Sequence, residues 1–165
     1  MEDFGKIAAA EVVFERRFDA PRDRVWRALT DPEELAAWLA PAEIELREGG
    51  PLVLTFDDQI ERGTIMELRE PEVIAYTWNE GKTESLVRFE LEPDGDGTRL
   101  RLTHTFEKEI DLSAFGAGWH HHLELLIAQV AGSPITWDRH RYRKLKAEYE
   151  RNAQQRREAE LARKQ

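Results

Sequence analysis

The spacing of hydrophobic positions changes along the chain, and these changes predict its elements. Between residues 111 and 132 large apolar residues recur every three or four positions, at Trp119, Leu123, Leu126, Ile127 and Val130. This spacing places them on one face of an α-helix. Gly132 stands where helices commonly end, and Pro134 would not continue one. The pattern predicts one long apolar helix over Asp111–Gly132.

Alternating apolar and polar residues predict strands through most of the preceding chain. Seven runs qualify: Glu11–Phe18, Glu43–Arg47, Leu52–Asp57, Ile60–Leu68, Val73–Trp78, Glu84–Glu92 and Thr98–Glu107. Two short helical patterns, over residues 21–30 and 31–40, separate the first run from the second. Short turns between the later runs favour antiparallel neighbours. The order predicts an α+β fold in which a curved, seven-stranded antiparallel sheet wraps around the long helix.

Each predicted strand has one apolar face that should lie against this helix. The residues assigned to the inner face are Ile44, Leu46, Leu52, Leu54, Phe56, Ile60, Thr64, Met66, Leu68, Ile74, Tyr76, Trp78, Val87, Phe89, Leu91, Leu100, Leu102, His104 and Phe106. The opposite faces of the last two strands carry arginine and glutamate, as expected beside water.

The C-terminal segment differs in charge from the rest. The chain has a net charge of −9, but residues 137–165 carry +5, which leaves −14 on the remainder. We predict a domain over residues 1–134 and a basic helical extension over residues 135–165, in which Trp137, Leu145 and Tyr149 could pack on the body. The extension could dock on the acidic body, on a protein partner or on neither. An acidic body argues against general nucleic-acid binding.

Composition narrows the function further. The chain has no cysteine, which excludes disulfides and thiol catalysis and fits a cytoplasmic protein. It has no apolar run near the ~20 residues of a membrane span, and we expect no secretory signal from its acidic N-terminal residues. The common nucleophile, nucleotide-phosphate and dinucleotide motifs are missing, so we expect no cofactor and favour a protein that is not an enzyme.

Three consecutive histidines, His120, His121 and His122, lie within the long predicted helix. Consecutive helical residues point about 100° apart, so three in a row cannot share one metal ion. The helical geometry places His120 and His122 on either side of the apolar face and directs His121 away from it. We therefore predict no metal site.

Several segments together resemble a known family. They are FDAPRDRVWRALTDPEELAAWLAP (18–41), GTIMELREPEVIAYTW (63–78), ESLVRFELEPDGDGTRLRLTHTF (84–106) and GWHHHLELL (118–126). In this order they resemble the activators of the heat-shock-protein-90 ATPase and their bacterial homologues, within the START-like (SRPBCC) superfamily. The resemblance covers about residues 11–131 and implies a helix-grip fold with a cavity between the sheet and the long helix. It does not fix a function, because this scaffold hosts many functions.

The main hypothesis is that a hydrophobic or amphipathic small molecule occupies this cavity. The candidate binding residues are Arg16, Phe56, Met66, Tyr76, Trp78, Phe89, His104, Trp119, His122, Leu123 and Leu126. Gly116 and Gly118 suggest a mouth where the helix enters the cavity. The simpler alternative is that the aromatic residues fill a solid core.

Two further hypotheses use other features of the sequence. The first is a cyclase-, aromatase- or hydratase-type enzyme with His104 as proton shuttle. In the second, the chain is a chaperone-associated interaction module that binds a protein partner through the C-terminal helix.

Overall fold

The computed structural model describes residues 2–8 and 10–164. The elements follow in the order β1 (Lys6–Ala8), β2 (Glu11–Phe18), α1 (Arg22–Thr30), α2 (Pro32–Trp38), β3 (Ala42–Ile44), β4 (Pro51–Thr55), β5 (Ile60–Arg69), β6 (Val73–Trp78), β7 (Ser85–Asp94), β8 (Gly97–Phe106), α3 (Ser113–Val130) and α4 (Arg139–Arg163). Within those two ranges, no helix is both long enough and apolar enough to cross a bilayer.

The strands form one antiparallel sheet in the order β1-β2-β8-β7-β6-β5-β4-β3. The predicted α+β fold, with an antiparallel sheet and a long helix towards the C-terminus, is confirmed. The sheet has eight strands rather than seven. Strand β1 escapes the sequence pattern because its three residues include one large apolar side chain, Ile7, and so show no alternation.

A β-bulge in β5 changes which residues of that strand face inward. Ile65 pairs with Tyr76, but the next pair is Glu67 with Ala75, so the register shifts by one residue. Leu68 faces the core beyond the bulge, whereas Ile65 faces it before the bulge. An unbroken alternation counted back from Leu68 therefore misassigns the earlier residues.

The structure corrects the inner face at four positions. Met66 is 59% exposed, Ile60 is exposed, and Thr64 lies on the opposite face from Ile65. Leu46 is also exposed, because β3 ends two residues earlier, at Ile44. The other positions assigned inward are buried or pack partly buried against the core.

Helix α3 lies against the inner face of the sheet, and Leu123 and Leu126 on it are completely buried. Helix α2 packs beside α3 through Trp38, whose indole N–H donates to the carbonyl of Ala28 at 2.7 Å. The Asp31 carboxylate caps α2 by accepting from the backbone N–H of Glu33. These contacts hold the backbone of Trp38 at the edge of α3, where it meets a histidine of the candidate site.

The first half of α4 docks on the body of the protein. Leu145 and Tyr149 are buried in the same hydrophobic cluster as the sheet and α3. The Arg141 guanidinium forms two hydrogen bonds with the Glu124 carboxylate on α3, at 3.2 and 2.7 Å. Residues 154–164 are exposed.

The start of α3 is covered rather than open. A Cβ atom built on Gly116 would lie 3.0 Å from the Ile7 side chain and 3.1 Å from the Tyr149 ring, so β1 and α4 pack closely against this turn. Gly118 has nothing within 4 Å of its Cβ position. The expected mouth at these glycines is therefore wrong at Gly116, because a missed strand and the C-terminal helix close that end.

Candidate functional site

Two groups of aromatic residues meet at Trp119 on α3. We call the first the His104 cluster, which consists of Ser85, His104, Phe106, Phe115 and Trp119. The His104 ring stacks on Phe106 with 4.2 Å between centroids and meets the edge of Phe115 at 5.2 Å. His104 is completely buried. The cluster joins β7 and β8 to α3.

Hydrogen bonds use both ring nitrogens of His104. The indole N–H of Trp119 lies 3.0 Å from His104 Nδ1, and Nε2 lies 2.7 Å from Ser85 Oγ. An indole nitrogen can only donate, so Nδ1 accepts. The neutral ring then carries its hydrogen on Nε2 and donates it to Ser85.

This arrangement argues against His104 as a proton shuttle. Burial lowers the pKa of His104 to about 3, so the ring remains neutral at physiological pH. The lone pair of Nδ1 already accepts a hydrogen bond from Trp119. Nε2 cannot take a proton from Ser85, because it donates its own hydrogen to that hydroxyl. His104 therefore fixes the position of α3 on the sheet.

The second group, the His122 cluster, consists of Phe56, Trp78, Trp119, His122 and Trp137. Four of its rings touch in a closed circuit. The centroid distances are 6.0 Å for Phe56–Trp78, 5.5 Å for Trp78–Trp119, 6.2 Å for Trp119–His122 and 6.1 Å for His122–Phe56. Trp137, in the segment between α3 and α4, lies over His122 at 4.4 Å and is 41% exposed. This cluster thus reaches from the inner face to the surface.

His122 uses only one ring nitrogen within the described residues. Its Nδ1 lies 2.9 Å from the carbonyl oxygen of Trp38, so Nδ1 donates. The neutral ring then presents Nε2 as an acceptor, for which the residues described by the structure provide no hydrogen-bond donor. Burial lowers the pKa of His122 to about 4, which keeps Nε2 unprotonated at neutral pH.

A buried acid lies on the same sheet face. Glu61 of β5 pairs with Leu54 of β4 and is 94% buried, given a relative exposure of 6%. Its Oε1 accepts from the side-chain amide of Gln59 at 3.0 Å, whereas its buried Oε2 has no hydrogen-bond partner among the described residues. Burial raises the pKa of Glu61, although the backbone N–H of Asn79 and the charge of Lys82 act in the opposite direction.

Sequence reasoning missed Glu61 because of the β5 bulge. The inner-face assignment placed Ile60 inward and therefore Glu61 outward. The notable signal in the sequence is Gly63, whose Cβ position would lie 2.0 Å from the carbonyl oxygen of Thr77. A glycine inside a strand can mark a bulge or a close backbone approach. It does not show at which residue of the strand the inward and outward positions exchange.

Most of the predicted binding residues lie in a packed interior. Tyr76, Phe89, Leu123 and Leu126 are each at most 2% exposed, so almost none of their surface is accessible to water. Rings from the sheet and α3 interdigitate there; Phe89 meets Trp119 edge-on at 5.9 Å. The expected open cavity is therefore filled in this part of the structure.

Two cavities of about 480 and 400 Å³ lie elsewhere, along α4. The larger is a groove between Gly5–Ile7 and the α4 residues from Tyr149 to Ala159. Neither cavity is lined by the residues predicted to bind a ligand.

Two predicted site residues lie away from the others. Met66 projects from the outer face of the sheet because of the bulge, so its inward assignment is wrong. Arg16 lies over the Phe14 ring and binds the backbone oxygen of Asp3 at 2.6 Å and its carboxylate at 3.2 Å. Arg16 and His104 thus have separate partners and form no common polar patch.

The other two histidines of the triplet connect α3 to α4. His120 Nδ1 lies 2.9 Å from the Tyr149 hydroxyl. His121 Nε2 accepts from the backbone N–H of Asp138, and its Nδ1 donates to Glu124. His121 points away from the sheet as predicted, yet it is buried, because the segment before α4 covers it.

One group of side chains brings possible metal ligands together. Ligand atoms of Glu2, His120 and Glu124 lie within 4.8 Å of one another. The Arg141 guanidinium binds both carboxylates and so already balances their charge. This ion-pair network explains the cluster without a cation.

Comparison with known proteins agrees with the sequence motifs. Residues 19–131 match the family model described as Activator of Hsp90 ATPase homolog 1-like protein. The chain belongs to this family. The resemblance inferred from the motifs is thereby confirmed over most of the chain. Among curated proteins, none shows significant similarity to the sequence.

Solved structures show the same fold. CalU16 from Micromonospora echinospora is 31% identical over 84% of this chain and 82% of its own, with a TM-score of 0.70. The BPP1335 protein from Bordetella parapertussis is 29% identical over 88% and 87% of the two chains, with a TM-score of 0.73. DynU16, a protein of the dynemicin biosynthetic locus, is 20% identical over 78% of this chain and 51% of its own, with a TM-score of 0.71, and indicates the fold alone.

Proposed function

We propose that the protein binds a hydrophobic or amphipathic small molecule between the sheet and α3, at the His122 cluster. The observation that supports this location is an aromatic circuit that reaches solvent and includes His122 Nε2, an acceptor with no donor among the described residues. Small-molecule sites typically combine apolar and aromatic walls with a few placed polar groups.

Entry at this cluster requires less rearrangement than entry elsewhere. Trp137 lies on the segment between α3 and α4, and its ring makes tilted contacts with the rings of His121, His122 and Tyr142. Phe56 directly follows β4 and is only partly buried. Moving these two rings would expose Trp78 and Trp119 without breaking the sheet. Opening the interior around Leu123 would instead disrupt completely buried packing, which is costly.

Binding is favoured over the two alternative functions. A His104-based enzyme is disfavoured because both ring nitrogens are already engaged. A partner-binding role for the whole C-terminal helix is disfavoured because its first half packs on the body through Leu145 and Tyr149.

The first test is a ligand screen with matched variants. Lipids, polyketides and flavonoids are presented to the protein, and native mass spectrometry and thermal shift detect complexes. The Phe56→Ala and His122→Leu variants should weaken binding of any hit by at least about tenfold. Phe4→Ala is the control, because Phe4 packs on His120 and Tyr149, away from the cluster.

Two outcomes would contradict the proposal. One is a screen in which no compound binds the wild-type protein. The other is a hit whose affinity is unchanged by Phe56→Ala and His122→Leu, since that ligand must occupy a different site.

A further inference from the structure

Glu61 carries a buried acceptor that the fold leaves unsatisfied. Leaving a buried polar atom without a hydrogen-bond partner is energetically costly, so most such atoms in folded proteins are paired. Glu61 Oε2 is the only side-chain atom of this kind among the described residues. This exception points to a partner supplied from outside the chain.

Register places Glu61 beside the His122 cluster. Glu61 faces inward opposite Leu54 of β4, and Phe56, directly after the end of β4, turns its ring to the same side, against Trp78 and His122. On the other side, Gly63 is the next inward position of β5, and the backbone N–H of Asn79, the residue after Trp78, approaches the Glu61 carboxylate. Residues diagonal to each other on one sheet face lie roughly 7–8 Å apart, within reach of long side chains. Gly63 adds no side chain of its own between them.

The chemistry of this carboxyl group indicates what it would bind. The polar groups that already approach it, the Gln59 amide and the backbone N–H of Asn79, are both donors, and the nearby Lys82 is a cation. The carboxyl group therefore acts as a hydrogen-bond acceptor, and its Oε2 atom can accept one further hydrogen bond. The surrounding walls, Leu54, Phe56 and Trp78, are apolar or aromatic.

We infer that Glu61 is the polar anchor of the binding site and accepts a hydrogen bond from a hydroxyl group on a flat, apolar ligand. This inference rests on the proposed binding function and adds the ligand class and the residue that selects it. Hydrogen bonds to a charged acceptor in a site shielded from water are the strongest kind available to such a ligand.

The test uses three ligands that share one ring system: 2-naphthol, naphthalene and 2-methoxynaphthalene. Affinities are measured at pH 7.5 by quenching of tryptophan fluorescence. The wild-type protein should bind 2-naphthol at least about tenfold more tightly than either compound without a donor. In Glu61→Leu this preference should disappear, whereas Glu43→Leu, at an exposed position of the nearby β3, should retain it.

Different results overturn different statements. Equal affinity of the wild-type protein for all three compounds, or a preference that survives Glu61→Leu, would overturn the role of Glu61 and leave the proposed binding function intact. If none of the three compounds binds the wild-type protein, both the inference and the proposed site for flat apolar ligands are wrong.

A second measurement needs no variant and so does not depend on the folding of Glu61→Leu. The pKa of the Glu61 carboxyl group is followed by ¹³C NMR with and without ligand. A hydroxyl donor stabilises the carboxylate, so 2-naphthol should lower this pKa and naphthalene should not. A pKa that responds equally to both compounds would overturn the inference.

Discussion

The His104 and His122 clusters share Trp119 and one face of α3, yet they differ in how their polar atoms are paired. In the His104 cluster both ring nitrogens are bonded and the ring is completely buried. In the His122 cluster one ring nitrogen lacks a donor within the described residues, and the adjacent Glu61 has an unpaired oxygen. A satisfied buried network holds a fold together, whereas an unsatisfied one beside the surface suits ligand binding.

The strongest test of this difference removes the His104 side chain. His104→Ala should lower the free energy of unfolding by about 4 kcal/mol, because it leaves a cavity and deprives Trp119 and Ser85 of their partner. Urea denaturation measures the effect, with the exposed His140→Ala as control. A loss below about 1 kcal/mol would mean that the His104 cluster is not structural.

Acidification should destabilise the protein because its buried histidines resist protonation. Burial lowers the pKa of His104 to about 3 and the pKa values of His120 and His122 to about 4 each, whereas an unfolded histidine titrates near 6.5. Below pH 6.5 the unfolded chain therefore binds protons that the folded protein does not, and stability falls as pH falls.

Each of these three histidines contributes up to about 1.4 kcal/mol per pH unit, so roughly 4 kcal/mol should be lost by pH 5.5. Urea denaturation at pH 7.5, 6.5 and 5.5 measures this loss. His104→Ala should make the profile shallower by removing one of these contributions, and a flat wild-type profile would show that these rings titrate normally.

The contact between α4 and the body gives a smaller expected effect. The Tyr149 hydroxyl accepts from the backbone N–H of Gly5 at 2.8 Å and bonds to His120. Tyr149→Phe should therefore cost about 1–2 kcal/mol, measured by thermal and urea denaturation. Tyr142→Phe serves as the control, since the structure shows a ring contact with Trp137 for that residue. Equal losses in the two variants would indicate that the Tyr149 hydroxyl adds nothing specific.

The smallest expected effect has the opposite sign. Glu61→Leu replaces an unsatisfied buried acid by an apolar side chain of similar size and should raise the free energy of unfolding by about 1 kcal/mol. Measured without ligand, this gain would show that Glu61 is not retained for stability. A clear loss would place Glu61 with His104 among the structural residues and remove the contrast between the two clusters.

The sequence predicted the elements well where a simple period extends over many residues. Strand β2 and strand β6 have the predicted ends, and α3 lies within the predicted helix. Prediction from the sequence failed at β1, because three residues are too few to show a pattern. It also failed at β5, because one extra residue reverses the alternation of inward and outward positions. The wrong inward assignment of Met66 and the omission of Glu61 share this cause.

The candidate site was predictable only in part. Aromatic content and alternation correctly predicted that Phe56, Trp78, Trp119 and His122 lie close together, because these properties can be read from short stretches of sequence. Which nitrogen of a histidine is free depends on carbonyl groups and side chains far away in the chain, as for His122 and the carbonyl of Trp38.

The sequence by itself determined the α+β class, the long apolar helix and the family, because periodicity and motif order are properties of the chain. Only the tertiary structure decided that the interior around Leu123 is filled, that α4 closes one end of α3, and that Glu61 is buried. Each of these depends on contacts between distant segments and on the single shift of register in β5, which a pattern of residues does not contain.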